Sequence, residues 1–160
     1  MDAEVFACLV VGSNYATSLH GSSKHLTSPE DRQRFLALRN SDEFAAIVIG
    51  SNTAATEPYA KSPHPVFVYT RSSGLTPGQF IEKVHNQSAG RILCEGGVTL
   101  LHYLLREDRI DYLHLTHTPI AGDSHFFDSA LLLEKMSLTA SEQAGQTTFE
   151  RYERASRRVE

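Results

Sequence analysis

Arg91-Ile92-Leu93-Cys94-Glu95-Gly96-Gly97-Val98-Thr99-Leu100-Leu101 is the stretch on which the fold turns. An apolar run stops at an acid and two glycines. A helical pattern then starts at once, with Val98, Leu101 and Leu105 recurring at spacings of three and four. A strand that passes into a helix through Gly-Gly leaves the first N–H groups of the helix open. Those groups and the helix dipole favour an anion such as a phosphate. The paired glycines admit a ligand close to the backbone because no Cβ stands in the way. Glu95 ends a buried strand, where a carboxylate needs a partner. Two readings use the same residues: a diphosphate held by the glycines, with Glu95 on a polar substrate, or a plain strand-to-helix turn with a surface acid.

Working outward, residues 5–11 (Val-Phe-Ala-Cys-Leu-Val-Val) form an unbroken apolar run, which predicts a strand buried on both faces. Residues 12–24 are rich in Gly, Ser and Asn and predict a long, functional loop. Ser28 suits an N-cap, Pro29 the first helical position, and Glu30 and Asp31 the positive end of the dipole, so a helix is expected to about Asn40 with Phe35 and Leu38 on its apolar stripe. Residues 45–49 and 66–70 predict two more strands, the first opening into a short helix through Gly50-Ser51-Asn52-Thr53 and the second ending in Arg71-Ser72-Ser73-Gly74. Phe80, Ile81 and Val84 predict a short helix. Residues 111–118 alternate, with Leu113 and Leu115 on one face and His114, Thr116 and Thr118 on the other. Residues 136–140 and 147–152 predict a closing antiparallel hairpin with Gly145 in its turn. This alternation implies a mainly parallel sheet with helices on both faces, whose ligand sits at the C-terminal ends of the strands. Three such ends carry phosphate chemistry: Gly50 to Thr53, Thr70 to Ser73, and Glu95 to Thr99. The middle one offers hydroxyls and a guanidinium, suited to a phosphate monoester.

The chain has 160 residues, expected as a single domain with 151–160 as a loose, solvated tail. A formal net charge of −4 and the absence of a basic stripe argue against nucleic acid as a partner. No run of about 18 apolar residues suggests a membrane span, and Cys8 and Cys94 read as small core residues of a reducing compartment, so a cytoplasmic protein acting on a small molecule is expected. Eight histidines show no zinc-ligand spacing, and no metal site is expected.

With these residues in view, the chain resembles the dihydrofolate reductase superfamily across nearly its whole length. The resemblance implies a three-layer α/β fold: a central mixed, mainly parallel sheet, helices on both faces, and a C-terminal antiparallel hairpin. Two branches fit. The pyrimidine reductase of riboflavin biosynthesis, which forms the C-terminal domain of the deaminase-reductase, is resembled by Leu26-Thr27-Ser28 followed by Arg32 and Arg39. Ala46-Ile47-Val48-Ile49-Gly50-Ser51-Asn52-Thr53 and above all Cys94-Glu95-Gly96-Gly97 carry the same likeness. That resemblance implies NADPH as cofactor, Glu95 on the ribose part of the substrate and Arg39 on its phosphate. Dihydrofolate reductase itself is resembled by Pro29-Glu30-Asp31, Leu115-Thr116-His117-Thr118 and Gly122-Asp123-Ser124-His125-Phe126-Phe127. That match would set Asp31, with Thr116 beside it, against a pterin. Asp31 also stands three residues after Ser28, where it could close a capping box.

The chain departs from both branches. It has no Trp, Gly12-Ser13-Asn14-Tyr15-Ala16 replaces the riboflavin branch's Ser-x-Asp-Gly-Lys, and its Asp-Asn-Pro is reduced to Glu57-Pro58. No deaminase zinc pattern occurs in the sequence. The resemblance implies hydride transfer. Gly50, Thr53, Gly96, Gly97, Val98 and Thr99 would hold the diphosphate. Thr70, Arg71 and Ser72 would take the adenosine 2′-phosphate, with the nicotinamide near Ala7. Thr27, Asp31, Arg39 and Glu95 would face the substrate, with no proton donor assigned. Riboflavin-type reductases tend to form homodimers and folate reductases monomers. A non-catalytic nucleotide-binding member of the fold is the reading of a different class, prompted by the degraded first loop.

Overall fold

The computed structural model describes residues 3–56 and 62–155. A seven-stranded sheet in the order β4-β3-β5-β1-β6-β9-β8 forms the middle layer. Its strands are β1 (Val5–Val11), β3 (Phe44–Gly50), β4 (Val66–Tyr69), β5 (Arg91–Cys94), β6 (Tyr112–His117), β8 (Met136–Ala144) and β9 (Thr147–Arg154). Of these, β1, β3, β4, β5 and β6 are parallel, β9 pairs antiparallel with β6, and β8 pairs antiparallel with β9. The apolar run of β1 is explained by its central place. Val5, Ala7 and Val11 pack into one core with α3 (Pro77–Gln87), α4 (Val98–Arg106) and α5 (Ser129–Lys135). Phe6 and Cys8 pack into a second core on the opposite face, with α1 (Pro29–Arg39) and α2 (Ser51–Thr56). β3 and β5 alternate in the same way, with Val48 and Cys94 on the first face and Ile47 and Leu93 on the second. Cys8 and Cys94 therefore lie on opposite faces, both buried and free. Burial pushes the Cys94 thiol up to about 12, which fits a core role.

The helices form where caps and stripes ask for them. Ser28 Oγ accepts from Asp31 N at 3.1 Å and starts α1, whose Phe35 and Leu38 pack on the second core. Thr76 and Gln79 form a full capping box at the start of α3. In α4, Leu101 and Leu104 are fully buried, each worth about 1.5–3 kcal/mol relative to exposure. No helix among the described residues is long and apolar enough to cross a membrane.

Three features depart from the sequence-based expectations. The stretch read as a loop holds β2 (Ala16–Ser18), paired antiparallel with β7 (Ser124–Phe126), and a 3₁₀ turn at Ser23–His25. α5 was not anticipated; Asp128 caps it by accepting from Leu131 N at 3.0 Å. Strand β9 runs through Arg154, so the first residues of the expected tail are sheet, not coil. Arg154 there bridges to buried Asp111 at 3.0 Å and Arg151 covers the Tyr112 ring. Glu57, Pro58 and the tail beyond Ala155 lie outside the described residues.

Candidate functional site

A cleft of about 1160 Å³ runs along the C-terminal ends of the parallel strands. One half is built on the glycine turn. Gly96 has φ +110, a conformation that only glycine adopts without strain, and the peptide joining it to Gly97 is cis. Gly50 N donates to Gly96 O at 2.7 Å, bringing the ends of β3 and β5 together. A Cβ on Gly50 would come within 3.3 Å of Gly97 N, so this approach needs glycine. Gly97 is the N-cap residue of α4, and no side chain caps that helix. Its first N–H groups are therefore left for the cleft, which Gly97, Val98 and Thr99 line. The Thr53 hydroxyl stands beside both glycines: Cβ atoms built on Gly96 and Gly97 would lie 3.9 and 3.6 Å from its Oγ1. Arg71 lines the same half and makes no ion pair or side-chain hydrogen bond with a described residue. An anion of diphosphate size fits these groups: open N–H donors, a positive dipole end, a hydroxyl and a guanidinium on the same cleft.

The other half lies between α1 and the sheet, lined by Thr27, Asp31, Phe35 and Leu38 from the helix side and by His114, Thr116 and Phe149 from the sheet side. Asp31 is buried, and its Oδ2 accepts from Thr27 Oγ1 at 2.6 Å. Its backbone N–H is capped by Ser28, but its carboxylate turns to Thr27 rather than back to the cap, so only half of a capping box forms. Burial, aided by the guanidiniums of Arg151 and Arg34, holds the His114 imidazole down to about 4. Burial, with the nearby Glu95 carboxylate, pushes the Cys8 thiol well up, so it stays protonated at the cleft floor.

Glu95 has its partner, and it is Arg39. The guanidinium grips the carboxylate through Nε at 3.3 Å and Nη2 at 3.1 Å, and also lies 4.5 Å over the Phe35 ring. The Glu95 side chain is 0% exposed and that of Arg39 14%. Arg39 stands behind the cleft lining, on the Glu95 carboxylate. Of the other expected residues, Thr27, Asp31, Gly50, Thr53, Arg71, Glu95, Gly96, Gly97, Val98 and Thr99 come together along one cleft. Thr70 and Ser72 do not line it; their hydroxyls face each other at 3.1 Å. Ala7 is fully buried in the first core, and β1 meets the cleft through Cys8, Leu9 and Val10 instead. Sequence reasoning placed neither His114 nor Phe149 in the site. For His114 the available signal was a polar residue at a strand-centre position flanked by leucines.

No family model and no curated protein matches the chain. Solved structures do. The diaminohydroxyphosphoribosylaminopyrimidine deaminase/5-amino-6-(5-phosphoribosylamino)uracil reductase of Thermotoga maritima aligns with a TM-score of 0.76 at 15% identity, over 96% of this chain and 57% of that one. RibD of Acinetobacter baumannii aligns with a TM-score of 0.70 at 16% identity, over 96% of this chain and 58% of that one. A protein assigned to riboflavin biosynthesis in Shewanella sp. PV-4 aligns with a TM-score of 0.66 at 18% identity, over 94% of this chain and 98% of that one. The chain thus spans little more than half the length of the first two. At such identities the agreement is one of architecture: the chain has the dihydrofolate-reductase-like fold of these riboflavin-biosynthesis proteins.

Proposed function

We propose that the chain is an NADPH-dependent reductase of the riboflavin-biosynthesis type, acting on a ribosylaminopyrimidine phosphate such as 5-amino-6-(5-phosphoribosylamino)uracil. One observation carries this reading: the α4 N-terminus, uncapped by any side chain, opens at Gly96–Gly97 into the same cleft as Arg71 and a half-apolar pocket holding a buried acid. The cofactor, when bound, supplies the hydride. Gly96, Gly97, Val98, Thr99 and Thr53 hold its diphosphate, and Arg71 takes the 2′-phosphate that distinguishes NADPH from NADH. Phe35, Leu38 and Phe149 keep water from the reacting carbon, and Asp31, steadied by Thr27, orients the heterocycle. Glu95, with Arg39, fixes the end of β5 from which the glycines start.

The Asp31 geometry also supports a second reading, dihydrofolate reductase. Its carboxylate is released from capping and held by Thr27, with Thr116 buried in the same pocket. The test is turnover by the purified full chain with NADPH and each substrate in turn, followed by loss of NADPH absorbance. Oxidation with the uracil compound and not with dihydrofolate supports the first reading, and the reverse supports the second. NADPH binding with turnover of neither would make the chain a non-catalytic nucleotide-binding member of the fold and overturn both.

A further inference from the structure

The pocket between α1 and the sheet contains a polar side chain, His114, that makes no hydrogen bond among the described residues. Its floor is set by strand register: Cys8 lies opposite His114 across β1 and β6, and Thr116 opposite Phe149 across β6 and β9. Asp31, Phe35 and Leu38 of α1 close it from above. His114 sits in this floor with its Nδ1 sealed from water and without a hydrogen-bond partner, and neither ring nitrogen bonds another described residue. Its one close ring neighbour is Phe6, stacked at 6.3 Å. A buried imidazole with no partner costs stability that an aliphatic residue at the same strand position would keep.

The buried position also selects the tautomer. An orphaned buried N–H is rarer and costlier than an unused acceptor, so Nδ1 carries the lone pair and the proton sits on Nε2, the nitrogen left on the cleft side. The charged groups that act on the ring are Arg151 from β9 and Arg34 from α1; Asp31 of α1 lines the same pocket, and the Cys8 thiol lies beside the ring on β1. Arg34 is engaged over the Phe149 ring and Arg151 over Tyr112, and Asp31 accepts from Thr27. Burial and the two guanidiniums keep the ring neutral at neutral pH. The pocket thus presents an acceptor from Asp31 and, deeper along the strand than Thr116, a neutral N–H donor.

We propose that His114 is a specificity-determining residue of this cleft, donating from Nε2–H to a ring carbonyl or ring nitrogen of a planar nitrogen heterocycle whose N–H groups are taken by Asp31. The inference rests on the reductase reading and deepens it. It assigns the recognition of the heterocycle's acceptor edge, and so the choice between heterocycles that carry an acceptor there and those that do not, to a residue within β6.

The test uses 6-aminouracil as the probe on full-length protein loaded with NADPH, comparing wild type, His114→Phe and His114→Gln. The phenylalanine keeps a flat ring without a donor, and the glutamine keeps a donor. The expected result is a loss of about tenfold or more in probe affinity for His114→Phe, near wild-type affinity for His114→Gln, and unchanged NADPH affinity in both. In wild type labelled with nitrogen-15 histidine, the Nε2 resonance of His114 shifts as the probe is added. That readout needs no variant to fold, and a purely structural histidine would not give it. Probe binding that is equal in wild type and His114→Phe, or an Nε2 resonance that does not move, overturns the role of His114 and leaves the reductase reading standing. A wild type that binds NADPH but no probe overturns the substrate reading itself, and this inference with it.

Discussion

Replacing Arg39 by leucine strips the guanidinium from a carboxylate that no longer reaches water. In the wild type two N–H···O bonds of 3.1 and 3.3 Å join Arg39 to Glu95, and the acid's side chain has no exposed surface. Charges about 4 Å apart attract by about 4 kcal/mol at an effective dielectric constant of about 20. Removing one partner of a buried pair generally costs about 3–5 kcal/mol, because the desolvation of the other remains. A domain of ordinary stability has about 5–15 kcal/mol to lose. Arg39→Leu should therefore lower the midpoint of thermal unfolding by roughly 6–20 °C, taking about 2–4 °C per kcal/mol for a chain of this size. The double variant Arg39→Leu/Glu95→Leu removes the buried charge as well and should recover most of that loss. The assay is urea unfolding followed by circular dichroism, on wild type, both single variants and the double. A single variant costing less than about 1 kcal/mol, the range of an exposed pair, would refute the account of Glu95 as a sealed ion. So would a double variant as unstable as the sum of the singles.

Arg71→Ala should abolish the preference for NADPH over NADH in a fluorescence titration while leaving weak NADH binding, since the guanidinium is exposed and pairs with no described residue. Gly96→Ala forces a side chain into φ +110, costing about 1–3 kcal/mol in thermal unfolding, and should weaken NADPH binding by misplacing the first turn of α4. His114 has its affinity for protons depressed by folding, from an ordinary 6.5 to about 4. Its neutral form's contribution is whole above pH about 6.5 and is lost as pH falls towards 4, up to about 3 kcal/mol. The urea midpoint of wild type should therefore fall relative to that of His114→Phe as pH drops from about 6.5 towards 4, and parallel curves over that range would count against it.

The fold was legible because its main elements are long enough to show a period. β1 and β3 are continuous apolar runs that end up inside the sheet, and Ser28-Pro29 and Glu95-Gly96-Gly97 mark helix starts chemically. β2 and β7, three residues each, are too short to carry a period, and each exists only because the other lies across from it. The partner of Glu95 was equally hidden. The sequence shows that a buried acid needs a cation, but Arg39 stands fifty-six positions away at the end of α1, where a favourable place on the helix dipole already accounts for it. The alternation of β1 sends the Ala7 side chain into the first core and leaves its neighbours Cys8, Leu9 and Val10 to line the cleft. His114 was legible as a residue but not as a cleft group, because the depth of the pocket is fixed by how α1 sits on the sheet.

The strand order has a consequence for how the molecule is made. β1 precedes every other strand of the sheet in the chain, yet it occupies the middle of the sheet, with Val5 against Ile92 on one side and Phe6 against Tyr112 on the other. Both of its edges wait, unpaired and apolar, until β5 and β6 have been synthesised. Closing such distant pairs before any reward is collected is slow. The nascent chain is thus exposed to strand-to-strand association at β1 until β5 and β6 follow, and chaperone demand should fall on residues 5–11 rather than on the late hairpin, whose two strands follow each other directly.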